Sequence, residues 1–206
     1  MVPIMKEKSK SGNATKRKLV KAAFKVIGQK GFSNFTIRDI ARQAELSTGL
    51  VHYHFKNKED LFIYLFKEMQ VNIQDHLFQA LEKSGDPLNQ LRIFVDQAFM
   101  MIQREPNYFN LLINFWSQIN VNPRMRELSQ KLFNSYRGTI VEILDDGIAY
   151  GCFQEVNTLQ TAATIVALIQ GGIFQYMVDR DAFDYEEFAR QQKERITQLV
   201  ILKETN

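Results

Sequence analysis

Thr36, Ser47 and Asn57 each stand immediately before a short helical pattern, so three helix starts fall within residues 36 to 61, TIRDIARQAELSTGLVHYHFKNKEDL. Starts this close leave room only for two helices of about two turns each, a tight turn between them, and the first turn of a third. In the first helix Ile37, Ile40, Ala41 and Ala44 recur at spacings of three and four, which makes one narrow face apolar and small enough for close packing. Arg38, Asp39, Arg42 and Gln43 fall on the other face. Thr36 with Asp39 three residues on is a near capping box, whose hydroxyl and carboxylate can satisfy orphan backbone N–H groups. Glu45-Leu46 interrupts the pattern and Ser47 is placed to cap a second helix, about 47 to 54. Leu50 and Val51 there can pack inward beside Phe55, leaving Thr48, Gly49, His52, Tyr53 and His54 to face outward. Asn57 caps again, with Asp60 at the third position. Lys58 then lies beside backbone N–H groups at a helix N-terminus, a combination suited to a phosphate oxygen.

Two short helices around a tight turn form the helix-turn-helix pattern, whose second helix lies in the DNA major groove. The charge distribution points the same way. Residues 1–56 hold 12 of the 26 Lys+Arg but 3 of the 23 Asp+Glu, so a net charge of +3 conceals a segment of +9 followed by one of −6. Lys6, Lys8, Lys10, Lys16, Arg17, Lys18 and Lys21 crowd the N-terminus. Residues 1–14 read as a flexible basic arm that reaches phosphates or a minor groove, or else as a solvated tail without sequence preference.

Beyond Lys58 the periodicity is helical almost without interruption, and no segment alternates with a period of two. The expected fold is all-α, with helices near 16–29, 36–44, 47–54, 58–83, 87–104, 106–119, 123–150, 158–179 and 184–202. Residues 15–57 form the DNA-binding domain and 58–206 a helical domain, with helix 58–83, which has no breaker, linking the two. No apolar run, Ile165 to Ile169 included, approaches the roughly 20 residues needed to span a bilayer, so no membrane association and a cytoplasmic location are expected. The single Cys152 cannot form an intrachain disulfide. None of the phosphate-loop, nucleophile-elbow, dinucleotide or zinc-protease motifs occurs, so neither an enzyme nor a cofactor is expected. Asp145-Asp146, adjacent on a helix and so about 100° apart, are not a catalytic pair. His52 and His54, two apart, have the wrong spacing for a helical metal pair; contact with DNA is preferred and no metal site is expected.

The stretch 15–62 resembles the TetR family of bacterial transcriptional repressors. The resemblance rests on the helix Lys16–Gln29, the Gly31-Phe32 stop, Thr36, Asp39-Ile40-Ala41, Ala44, Ser47, Gly49, Tyr53, Phe55, Lys58 and Leu61. Glu45 stands where the family usually has Gly, and His52 where it usually has Tyr. If the turn needs a positive φ, Glu45 costs up to about 1 kcal/mol. The segment Arg124–Gly151, continuing through Cys152-Phe153, is similar to the C-terminal domain of BetI-like members.

The resemblance implies nine helices, a homodimer on an inverted-repeat operator, and a small-molecule effector bound by the C-terminal domain, whose arrival releases double-stranded DNA. The expected DNA-binding residues are Thr36, Arg38, Ser47, Thr48, Gly49, His52, Tyr53, His54 and Lys58. For the effector, the bulky and polar side chains of the later helices supply Gln97, Met101, Phe109, Asn114, Phe115, Trp116, Tyr136, Gln170 and Phe174, each of which at helical spacing also suits an ordinary core or surface position. Helix 158–179 is apolar around much of its circumference and rich in small residues. With helix 184–202 it forms half of a four-helix dimer interface through Ala163, Val166, Ala167, Ile173, Ile196 and Leu199, or serves as a central core helix of one chain.

Overall fold

The computed structural model describes residues 10–104 and 106–202, and these form nine α-helices. They are α1 (Lys10–Asn34), α2 (Ile37–Gln43), α3 (Thr48–His54), α4 (Lys58–Glu82), α5 (Pro87–Arg104), α6 (Pro106–Trp116), α7 (Pro123–Ala149), α8 (Thr158–Val178) and α9 (Tyr185–Gln198). The all-α reading holds, with one isolated antiparallel bridge between Phe153 and Ile201.

Four helix ends depart from expectation by three residues or more: both ends of α1, the end of α9, and the end of α6, which stops at Trp116 instead of 119. α1 begins at Lys10, so residues 10–14 are helical rather than part of a flexible arm, because Gly12 and Asn13 are weak helix formers and not breakers. Lys6 and Lys8 of the expected arm lie outside the described residues. Gly31 acts as the expected stop: its φ of 71° and ψ of 168° fall in a region open essentially to glycine alone, and the helical run resumes only briefly after it. At the other end, α9 stops at Gln198 instead of 202. Gln154 donates its backbone N–H to the Val200 carbonyl (2.8 Å) and its Nε2 to the Leu199 carbonyl (2.8 Å), which draws the chain after α9 out of helical pairing.

The described chain divides into two compact units. One contains the residues up to Gln70 together with Asn107–Met125; the other contains Val71–Pro106 and the residues from Arg126 onward. In the first, α1 packs on α2 and α2 on α3 around Leu19, Ala23, Ile27, Phe35, Ile40 and Val51, all of them buried. Phe115 of α6 belongs to this unit. Its ring is stacked on Phe66 with centroids 3.8 Å apart and tilted against Phe62 at 5.5 Å, all three fully buried. Lys16 turns inward, its Nζ 3.7 Å from the centroid of the Tyr64 ring, so its charge serves a cation–π contact instead of an arm.

In the second unit α5, α8 and α9 pack on one another. Gly172 allows this approach, because a Cβ there would collide with the Phe188 ring of α9. Tyr185 donates its buried hydroxyl to the Phe99 carbonyl at 2.9 Å, and Lys193 pairs with Asp96 at 2.9 Å. Val166, Ile173 and Ile196, expected at a dimer interface, are buried within this unit and form its own core. The open side of α8 carries Leu159, Ala163, Ala167, Gly171, Phe174 and Val178 instead, with Leu199 exposed on the turn after α9. α8 is also long and apolar enough to cross a membrane, which no single apolar run indicated. One side of it nevertheless packs on α5 and α9, as in the core helix of a globular chain.

Candidate nucleic-acid interface

Local hydrogen bonds fix each start in the first unit. Thr36 accepts from the Asp39 N–H (3.2 Å), while Asp39 Oδ2 accepts from the Thr36 N–H (3.0 Å) and from its hydroxyl (2.9 Å), a complete capping box. Both donors of Thr36 are thereby engaged, which makes it the cap of α2 and not a free phosphate donor. Ser47 caps α3 by accepting from the Leu50 N–H at 3.2 Å, and Asn57 Oδ1 accepts from the Asp60 N–H at 2.7 Å at the start of α4.

With Val51 and Phe55 buried beneath it, α3 turns Thr48, Gly49, His52 and Tyr53 to the outside, and Tyr53 is 83% exposed. A large aromatic side chain left in water on a seven-residue helix has no account in folding, and amphipathic rings are favoured where a partner surface will cover them. His54 is half-buried, edge-on to the Tyr53 ring at 5.2 Å, and so supports the recognition face more than it forms it. Arg38 on α2 is exposed. Lys58 lies with its Nζ 5.1 Å from the centroid of the Phe35 ring, positioned by that contact.

The structure adds one cation, Lys25, to those read from the N-terminal cluster. Arg17, Lys18, Lys21 and Lys25 are all exposed and recur at intervals of one, three and four, so they form one basic stripe along α1. Lys25 was outside the N-terminal cluster read from the sequence; the signal was its helical register with Lys18 and Lys21. Such a stripe suits the phosphate backbone, where neutralising charge contributes affinity without sequence preference.

Lys30 (2.7 Å), with help from the Thr36 hydrogen bonds, holds the Asp39 carboxyl down to about 2. A lowered carboxylate value stabilises the fold above the ordinary range near 4, and that stabilisation is lost as pH falls from there towards 2. Asp39→Asn is expected to lower the urea midpoint at pH 6, with the gap from wild type closing between about pH 4 and 2. A gap that stays constant over that range would show that ionisation of Asp39 plays no part.

The expected effector residues are divided between the units. In the first, Phe115 is part of the stacked core. Asn114 donates from Nδ2 to the carbonyl of Asn110 (2.6 Å) in its own helix, while Phe109 and Trp116 are half-buried. In the second, Gln97 Oε1 accepts from Arg104 Nη1 (3.1 Å), Met101, Tyr136 and Gln170 are half-buried, and Phe174 is 52% exposed on the open side of α8. Ser129 of α7 was not anticipated. It is buried, and its hydroxyl has no hydrogen-bond partner among the described residues. No cluster of three or more His, Cys, Asp or Glu able to hold a metal occurs among the described residues.

Residues 19–65 match the family described as bacterial regulatory proteins, tetR family, and residues 87–200 match the family described as BetI-type transcriptional repressor, C-terminal. The chain is similar to the fatty acid metabolism regulator protein of Bacillus subtilis, 26% identical over 151 residues that make up 72% of this chain and 75% of that protein. Among solved structures, a putative transcriptional regulator from Saccharomonospora viridis in complex with choline superposes with a TM-score of 0.86 at 20% identity, covering 93% of this chain and all of that one. The Bacillus subtilis regulator FadR in complex with stearoyl-CoA superposes with a TM-score of 0.76 at 21% identity, covering 88% and 97%.

Proposed function

The chain belongs to the TetR family of bacterial transcriptional regulators, and on that premise we propose that it is a cytoplasmic, homodimeric repressor which leaves an inverted-repeat operator when a small apolar or amphipathic molecule binds its C-terminal part. The observation that carries the DNA-binding half is the outward face of α3, Thr48, Gly49, His52 and the 83% exposed Tyr53, flanked by the basic stripe of α1. Thr48, Gly49, His52 and Arg38 are assigned to bases, and Ser47, Tyr53, Lys58 and the α1 stripe to phosphates. Two such helices about 34 Å apart read successive major grooves, and an effector that binds a differently spaced dimer more tightly shifts the population away from DNA.

Selection of bound sequences from a random duplex pool, at physiological salt, tests this reading. Enrichment of an inverted repeat supports it; enrichment of nothing leaves only charge-driven binding and sinks it. Lys58→Ala is expected to weaken binding similarly on operator and scrambled duplex and to flatten the salt slope by about one. A change of sequence preference in that variant would move Lys58 from phosphate to base.

For the effector, the relatives supply two unlike chemistries, a quaternary ammonium and a fatty-acyl thioester. Thermal shifts with choline and with stearoyl-CoA separate them, since a ligand at 100 times its Kd stabilises by about 2.7 kcal/mol. The engagement of Phe115, Asn114 and Gln97 in contacts within the chain favours a second reading, a regulator that no small molecule controls. Operator release by either compound would rule that out.

A further inference from the structure

Residues 1–56 contain only three acidic side chains, Glu7, Asp39 and Glu45. Glu7 lies outside the described residues, and Asp39 is engaged by Thr36 and Lys30. Glu45 differs from both. It occupies the turn between α2 and α3 with φ at 52°, the only non-glycine residue with positive φ among the described residues, and its side chain is 85% exposed. Its carboxylate lies 3.3 Å from Lys18 Nζ, within the basic stripe of α1. Folding offers no reason for a glutamate here: the backbone is strained for any residue with a Cβ, and an ion pair exposed on both sides returns little. Only Leu46 separates Glu45 from Ser47, the cap of the recognition helix. Their Cα atoms are therefore at most about 7.6 Å apart.

We propose that Glu45 limits DNA affinity: held in the turn, its carboxylate occupies Lys18 and removes one cation from the phosphate-binding surface, so that binding depends more on the base contacts of α3. This rests on the DNA-binding reading above. The effect belongs to the phosphate term, so it acts on every duplex alike and lowers the salt slope by about 0.9, the value of one phosphate contact.

The test is Glu45→Gln, which keeps size and backbone while removing charge. Affinity is measured on the selected operator and on a scrambled duplex between 50 and 200 mM salt. Both are expected to tighten roughly three- to tenfold at the lower salt, with a slope steeper by about one. In a Lys18→Ala background the same substitution is expected to gain less than about twofold. Glu45→Gly, which also releases the positive φ, should match the affinity gain and raise the thermal midpoint. Unchanged or weaker binding overturns the proposal, as does a gain that survives intact without Lys18, or one confined to the operator. Failure of the wild-type chain to bind any duplex is seen before a substitution is made, and that outcome overturns the DNA-binding reading itself along with the proposal.

Discussion

Ala167→Glu is expected to turn the proposed dimer into monomers and to weaken operator binding by about two orders of magnitude or more. Ala167 lies at the middle of the side of α8 that the chain leaves open, between Leu159 and Ala163 on one side and Gly171, Phe174 and Val178 on the other. The spacing of these six, four residues apart but for one interval of three, runs the whole length of the helix. Phe174 and Val178, 52% and 73% exposed, are large apolar groups left without cover by the described residues. Closed against a second copy about a two-fold axis, the small side chains let two helices approach and the large ones flank them. A carboxylate at the centre loses its water with no cation opposite, a penalty of several kcal/mol for each copy. Joining two DNA-binding heads raises avidity by roughly 10²–10⁴ through effective concentration, and dissociation forfeits that gain. Sedimentation equilibrium reads the mass and titration of full and half operators reads the coupling. Affinity for the half operator should not change. A variant that remains dimeric would place the interface elsewhere.

Phe115→Ala is expected to destabilise the first unit by about 3–5 kcal/mol, the usual cost of deleting a buried ring with incomplete collapse of the cavity. The sequence allowed Phe115 to be an effector contact or a core residue; the structure stacks it on Phe66 at 3.8 Å with no exposed surface. A stacked pair adds about 0.5–1.5 kcal/mol beyond the area it buries, so the loss should fall in the upper part of that range. Urea unfolding followed by the fluorescence of Trp116, the neighbouring residue, reports on this region directly. Should the midpoint stay put while effector affinity falls, the effector assignment was right and the core assignment wrong.

What the sequence conveyed was whatever is local. The capping residues Thr36, Ser47 and Asn57 each form the bond expected of them, and the limits of α4, α5 and α8 fall within a residue of expectation, because caps and periodicity act over a few positions. What the sequence left open has a different origin. Phe115 meets Phe66 across 49 positions and the end of α9 is set by Gln154 across 45, separations at which no spacing rule applies. In α8 apolar residues surround the helix, so periodicity could not tell the side packed on α5 and α9 from the open side. Val166 and Ile173 were therefore assigned to a partner when they pack within their own chain, and Ala163 and Ala167 are the positions left open. Lys16 was counted with the N-terminal cations because nothing nearby in the sequence discloses Tyr64.

The unit that carries α3 also includes residues 107–125, so it is interrupted in the sequence by a stretch that belongs to the other unit. A fragment cut after Gln70 would leave out Phe115 and expose Phe66, and is expected to be a poorly soluble piece with little cooperative unfolding. Exchange of DNA-binding specificity between such proteins, whether by recombination or at the bench, therefore has a preferred breakpoint. Swapping the outward residues of α3 alone leaves every partner in place, whereas swapping the N-terminal third wholesale forces an inherited Phe62 and Phe66 against a foreign α6. Divergence in which sequence is read should accordingly concentrate in a handful of surface positions, with α4 and α6 changing together or not at all.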